Sequence, residues 1–214
     1  MVLCQQSVDD FNEVVLLDTE FVACAGDRVV PVCLVAYELR SGRRHKVFFG
    51  DLLATYKNPM PVGSDVLYVA YAAQAEWSAF LSLGWQLPEH TLDLFAEYRC
   101  LTNGQTKFDG SPVDTSLIAA LAHFGLDSMT VVEKQSVIDL IHRGHPYTEE
   151  EQRTILDYCS EDVEALEMLL PAMLPAIEIP YAIFRGRYTK ALAKMEFSGI
   201  PIDVPVFTES RIIE

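Results

Sequence analysis

Apolar and polar positions along this chain follow two different periods, and the change from one to the other orders its elements. Val14-Val15-Leu16-Leu17 is a short run of branched residues closing on Asp18-Thr19-Glu20, which reads as a buried strand. Arg28–Tyr37 and Arg44–Phe49 read as a second and a third strand, with a turn at Ser41-Gly42 between them. Val66–Tyr71 reads as a fourth strand, leading through Ala72-Ala73-Gln74-Ala75-Glu76 into a helix over Trp77–Leu83. A further strand ends at Asp93. Beyond a loop at Gln105–Val113, the period becomes helical over Thr115–Phe124 and Val132–His142, with Gly125 and Gly144 marking the ends.

The clearest helix signal is Thr148-Glu149-Glu150-Glu151, a capping box with Thr as N-cap and Glu three residues on. The helix is expected to run to Leu170, because Pro171 cannot continue it. At about 100° per residue, Ile155, Leu156, Cys159, Val163, Leu166, Leu169 and Leu170 fall on one apolar arc. Glu149, Glu150, Asp157, Glu161, Glu164 and Glu167 fall opposite. Asp162 breaks the pattern: it sits inside the apolar arc, with Tyr158 one turn earlier. An aspartate facing a core needs a backbone cap, an arginine or a metal.

The same demand arises on the first strand. Side chains at i and i+2 share a face, so Asp18 and Glu20 project together, about 7 Å apart by strand rise. Two charges there repel and carry a desolvation cost, which a shared cation relieves. A strand that ends at the surface with two solvated acids is the other reading.

Composition narrows the setting. Half of the residues are apolar, enough for a sizeable core, and no run reaches the ~20 apolar residues of a membrane span. Met1–Gln6 lacks the basic region and long apolar stretch of a signal peptide, so a cytoplasmic location, in a bacterial or phage-infected cell, is expected. Five cysteines without Cys-x-x-Cys spacing read as apolar fillers in a reducing compartment, not as a zinc or disulfide framework. The net charge of −15 is the wrong sign for gripping nucleic acid through phosphates alone. Site metals or a fused basic partner would offset it.

An Asp-x-Glu strand near the start and a Tyr-x-x-x-Asp helix far downstream resemble the first and last motifs of the DEDD superfamily of 3′–5′ exonucleases, tyrosine branch. The position five before Asp162 is Asp157, not the histidine of the other branch. The middle motif departs from the Asn-x-x-x-Asp of family A DNA polymerase proofreading domains: Ala72 stands for the Asn and Glu76 for the Asp, with Asp93 as the alternative middle acid. After Pro171, Pro175 and Pro180 comes Arg185-Gly186-Arg187-Tyr188, and then Met195-Glu196-Phe197-Ser198-Gly199-Ile200-Pro201-Ile202-Asp203. This stretch is similar to the segment joining exonuclease to polymerase in family A enzymes, whose polymerase motifs are absent here; the chain then reads either as a fragment, which its ending shortly after a polymerase-like start favours, or as a naturally short protein.

The resemblance implies an α/β fold, a ribonuclease H-like mixed sheet flanked by helices with a C-terminal helical extension. It divides the chain into an exonuclease domain over 1–172 and a helical linker over 173–214. It also implies hydrolysis of single-stranded DNA from its 3′ end to nucleoside 5′-monophosphates by two Mg²⁺ or Mn²⁺ ions. Asp18, Glu20 and Asp162 would hold the first ion, Glu76 or Asp93 would complete the second site, and Tyr158 would orient the attacking water. A polymerase domain in cis or in trans is the implied partner. An RNA-trimming exonuclease of the ribonuclease D type, or a degenerate domain kept as a binding module, are the competing readings.

Overall fold

Strand β1 (Glu13–Val22) organises the fold because its two faces enter two different cores. Val14 and Leu16 pack with one cluster, which includes Val69, Ile155, Val163 and Leu166. Val15 and Leu17 pack with the other, around Tyr68, Trp77 and Phe80. All four are buried, each contributing about 1.5–3 kcal/mol by removal from water. A computed structural model describes residues 7–23, 28–50, 53–126 and 131–211; the segments Met1–Gln6 and Ile212–Glu214 lie outside the described residues.

Antiparallel to β1 runs β2 (Val30–Glu38), followed by β3 (Arg43–Phe48). On the other side β4 (Val66–Ala70) and β5 (His90–Asp93) run parallel, giving a mixed five-stranded sheet in the order β3-β2-β1-β4-β5. Parallel pairing requires a crossover, supplied between β4 and β5 by α1 (Ala73–Ser82). This helix starts four residues before the expected Trp77, so Glu76 lies in its first turn. Helices α2 (Leu94–Leu101), α3 (Leu117–His123) and α4 (Val131–Arg143) follow.

Helix α5 (Glu149–Met173) opens with the expected capping box: the Thr148 hydroxyl accepts from the Glu151 N–H while the Glu151 carboxylate accepts from the Thr148 N–H. It passes Pro171 and ends three residues later than expected. Pro171 lies in the last turn, where the missing N–H removes a single bond, and the Leu174 N–H still closes on the Leu170 carbonyl. The apolar arc is buried apart from half-buried Leu156, while Arg44 and Lys46 of β3 pair with Glu164, Glu167 and Asp157 on its polar side.

Helix α6 (Ile179–Ser198) carries most of the C-terminal extension, and it packs on α1 and β5. Three devices fasten it. Arg185 donates twice to Glu97, at 2.6 and 2.5 Å. Lys190 donates to the carbonyls of Pro88 and Glu89. At Gly186 a Cβ would stand 2.0 Å from the Thr91 carbonyl oxygen, so only glycine permits this approach. Helix α7 (Val204–Arg211) follows, with Val204, Val206 and Phe207 exposed. Among the described residues no helix is long and apolar enough to cross a membrane.

Candidate active site

The candidate site forms where β1 outruns its parallel neighbour. β4 pairs with β1 only from Glu13 to Leu16, so Asp18, Thr19 and Glu20 extend beyond that pairing, level with the turn that opens α1. Sites in parallel sheets lie at such carboxyl ends. The β1–β2 ladder slips between Glu20 and Phe21, with Val32 as the extra residue beside Pro31. Proline has no N–H to give a ladder, and the resulting bulge bends the strand directly after Glu20.

Asp18 and Glu20 share the face toward α5, as the period of two requires. Asp18, Glu20 and Cys159 of α5 each offer one ligand atom, and these atoms lie within 4.8 Å of one another. Asp162 is not of that trio, yet its charge acts on both Glu20 and Tyr158. Burial raises the Glu20 carboxyl well above its ordinary range, and Asp18, Cys33, Asp162 and Glu76 push it the same way. Tyr158 is half-buried, and its phenol is raised by burial and then by Asp162, Glu20 and Asp18. The first strand, the first turn of α1 and the middle of α5 thus bring Asp18, Glu76, Tyr158 and Asp162 within electrostatic reach of Glu20.

Glu76 reaches this end of β1 from the opposite face. It is 3 % exposed, and its carboxylate accepts a hydrogen bond from the Thr19 hydroxyl. Burial raises it well above the ordinary carboxylate range, the Asp18 charge adds to this, and the Thr19 bonds oppose it. Asp93 has a different occupation. Its Oδ1 accepts from the N–H groups of Ala72, Phe95 and Ala96, capping α2 and holding the β4–α1 turn. Thr189 of α6 donates to its other oxygen at 3.4 Å. Ala72 itself is left-handed, with φ 64°, a conformation that favours Asn or Gly.

Two residues beside the acids carried no sequence signal as site neighbours. Thr19 points away from Asp18 and Glu20 by strand alternation, so only the position of α1 makes it Glu76's donor. Cys159 belongs to the apolar arc, but it lies under the carboxylates: its thiol donates to the Asp18 carbonyl at 3.3 Å. Burial and the neighbouring Cys33 raise that thiol well above its usual range.

The oxygen donors suit a hard divalent ion such as Mg²⁺ or Mn²⁺. Glu20 and Glu76 also favour the protonated form where they stand, which a nearby cation would reverse. Asp18, Glu20 and Asp162, with Glu76 behind them, are the residues that would hold it.

No protein-family model matches the chain, and no curated protein matches it in sequence. Solved structures do match. One described as the apo form of a nuclease is 12 % identical over 93 % of this chain and 94 % of its own, with a TM-score of 0.63. NrnC of Brucella melitensis, solved with bound Mg²⁺, is 9 % identical over 90 % of each chain, at 0.59. Escherichia coli RNase D, an exoribonuclease involved in structured RNA processing, is 15 % identical over 84 % of this chain and 44 % of its own, at 0.51. Similarity at this level shows the fold alone, and it is the ribonuclease H-like α/β fold shared with these structures.

Proposed function

We propose that this protein is a divalent-metal-dependent 3′–5′ exonuclease of the DEDD type, hydrolysing single-stranded nucleic acid from its 3′ end. The observation that carries this reading is the gathering of Asp18, Glu20, Glu76 and Asp162, with Tyr158, at the carboxyl end of β1. The solved nucleases of the same fold support it, including one holding Mg²⁺.

Two bound divalent ions would supply charge stabilisation for the attacking and leaving oxygens of an in-line displacement. The chain's own part is positional. Asp18, Glu20 and Asp162 hold one side of the site, and the bulge after Glu20 fixes the strand that presents two of them. Glu76 closes the other side, held by Thr19. The raised Tyr158 phenol keeps its proton, so it positions the attacking water by a hydrogen bond instead of acting as a base.

Two substrates divide this reading. A proofreading role on DNA rests on the likeness of the Arg185–Asp203 stretch to the segment leading into a polymerase. Packing accounts for part of that stretch, since Arg185 meets Glu97 and Gly186 meets Thr91. RNA trimming is favoured by the likeness to RNase D, described as an exoribonuclease. Single-stranded DNA and RNA oligonucleotides of the same sequence, each with Mg²⁺ and with Mn²⁺, separate the two. Degradation of neither leaves the degenerate-domain reading.

A further inference from the structure

We propose that the cavity of about 570 Å³ walled by α2, α6 and the 102–115 segment holds an unpaired nucleotide of the strand, upstream of the bond that is cut. This rests on the exonuclease reading and extends it to a second place on the molecule, since none of Asp18, Glu20, Glu76 and Asp162 lines the cavity.

Ala72 and Gln74 line the cavity from the start of α1, whose first turn carries Glu76, and Asp93 lines it from the end of β5. β5 stands two strands from β1 in the sheet, about 10 Å away by the strand spacing. Cavity and acids therefore share one carboxyl edge, and a single strand with its 3′ end on the acids reaches the cavity within a short stretch.

The lining fits that occupant. Of its charged groups, Asp93 is taken by backbone N–H groups and Thr189, and Arg185 by Glu97. Arg99 is what remains: it is exposed, and its guanidinium stands 5.5 Å from the centre of the Phe95 ring. Tyr188 of α6 lines the same cavity and is 64 % exposed. Aromatic rings beside an arginine hold unpaired strands whatever their sequence, the bases stacking on the rings and a phosphate meeting the cation. In a chain of net charge −15, a cation turned to an aromatic-lined cavity is a local exception to a surface that repels phosphates. The wall is also built in advance. Tyr71 packs edge-on against Phe95 and donates to the Thr115 carbonyl, while the 102–115 segment folds back on itself through the Thr106–Pro112 bridge. The same segment carries a second basic and aromatic pair, Lys107 and the fully exposed Phe108. The volume lies within the about 300–1,000 Å³ of small-molecule sites, ample for one base and its sugar.

The test is the binding of a fluorescein-labelled single strand, DNA and RNA in turn, to the full chain at low salt with EDTA, where nothing is hydrolysed. Tyr188→Ala and Arg99→Ala should each weaken binding roughly tenfold, the scale of one lost stacking or phosphate contact. Tyr188→Phe, which keeps the ring, should bind as the wild type does, and so should Arg153→Ala, which removes an exposed arginine of α5. Unaltered affinity in either Tyr188→Ala or Arg99→Ala overturns the inference. Equal loss in Tyr188→Phe and Tyr188→Ala does so too, because stacking would then play no part, and so does absence of binding by the wild type. Competition with AMP and dAMP separates a strand from a free nucleotide. Either should compete far more weakly than an unlabelled strand, and equal competition would make the cavity a free-nucleotide site instead. Hydrolysis with Mg²⁺ or Mn²⁺ is scored separately. An inactive chain whose strand binding depends on Tyr188 and Arg99 refutes the proposed function alone, and an active chain whose binding ignores both refutes this inference alone.

Discussion

The Thr19 hydroxyl donates to the Glu76 carboxylate, joining the strand that carries Asp18 and Glu20 to the helix that carries the middle acid. Thr19 lies between the two acids in sequence but faces the other side of the sheet. Glu76 is therefore held from behind, at the edge of β1, while the Asp18 charge acts on it from the front. Asp93, the competing middle acid, has its oxygens turned to backbone donors and to Thr189.

From this follows a division between two substitutions. Glu76→Ala should abolish Mn²⁺-dependent degradation with modest change in melting temperature. Asp93→Ala should cost about 1–2 kcal/mol of stability as a lost N-cap, and more if the Ala72 N–H stays unsatisfied, while retaining turnover at temperatures where the variant is folded. Parallel activity assays and urea melts decide it; activity that tracks Asp93 instead reverses the assignment.

Tyr158→Phe removes one hydroxyl and leaves the ring packed. Hydrolysis should fall on the order of 10²-fold, as for loss of one positioned hydrogen bond in a site of this kind, with metal affinity unchanged. Equal rates for the variant and the wild type would assign Tyr158 to packing on α5.

Arg185 and Glu97 form a bidentate pair, with Glu97 3 % exposed and the arginine side chain about a third exposed. Arg185→Ala strands a buried carboxylate. The loss should approach, without reaching, the about 3–5 kcal/mol of a fully buried pair, because solvent screens part of the arginine. Gly186→Ala should destabilise the same interface, since its Cβ has no room before the Thr91 carbonyl. Denaturant melts that leave both variants at wild-type stability would mean that α6 is not fastened at these points.

The pH response of the metal-free protein has a defined sign. Glu20 and Glu76 are raised above their ordinary value of 4.5 by burial and by Asp18, so the folded state binds more protons than the unfolded state above that value. Stability then falls as pH rises from about 4.5. Glu38 acts oppositely. Burial pushes it up, but the Ser41 side chain, with N–H groups of Ser41, Arg40 and Val14, holds it to about 2. Its contribution is present above the ordinary carboxylate value and is lost as pH falls toward 2. Thermal melts from pH 4.5 upward should decline without metal, and Mg²⁺ or Mn²⁺ should recover more stability at the higher pH. A metal effect independent of pH would separate the cation from these carboxyls.

Much of this was written in the local pattern. The period of two put Asp18 and Glu20 on one face, and the capping box with its apolar arc placed Tyr158 and Asp162 on α5. Those signals are local, and local signals survive in sequence. What escaped reading depends on which element crosses which. Thr19 as a partner of Glu76 needs the docking of α1 on β1. Cys159 carries the signature of an apolar filler in sequence, and its contact with the Asp18 carbonyl depends on α5 crossing β1. The Arg185-Gly186 pair carried a likeness in sequence, but its packing role appears only when α6 meets β5. Pro171 signals a stop as it would in a helix interior, but it falls in the last turn of α5, where one missing N–H matters little.

The most direct test of the central claim is the digestion of a 5′-labelled single-stranded oligonucleotide by the metal-free protein before and after adding Mn²⁺. The account predicts a ladder that shortens one nucleotide at a time from the 3′ end, only with the metal, and lost in both Asp18→Asn and Glu20→Gln while these variants remain folded. Products cut internally, or the same ladder from Asp18→Asn, would contradict it.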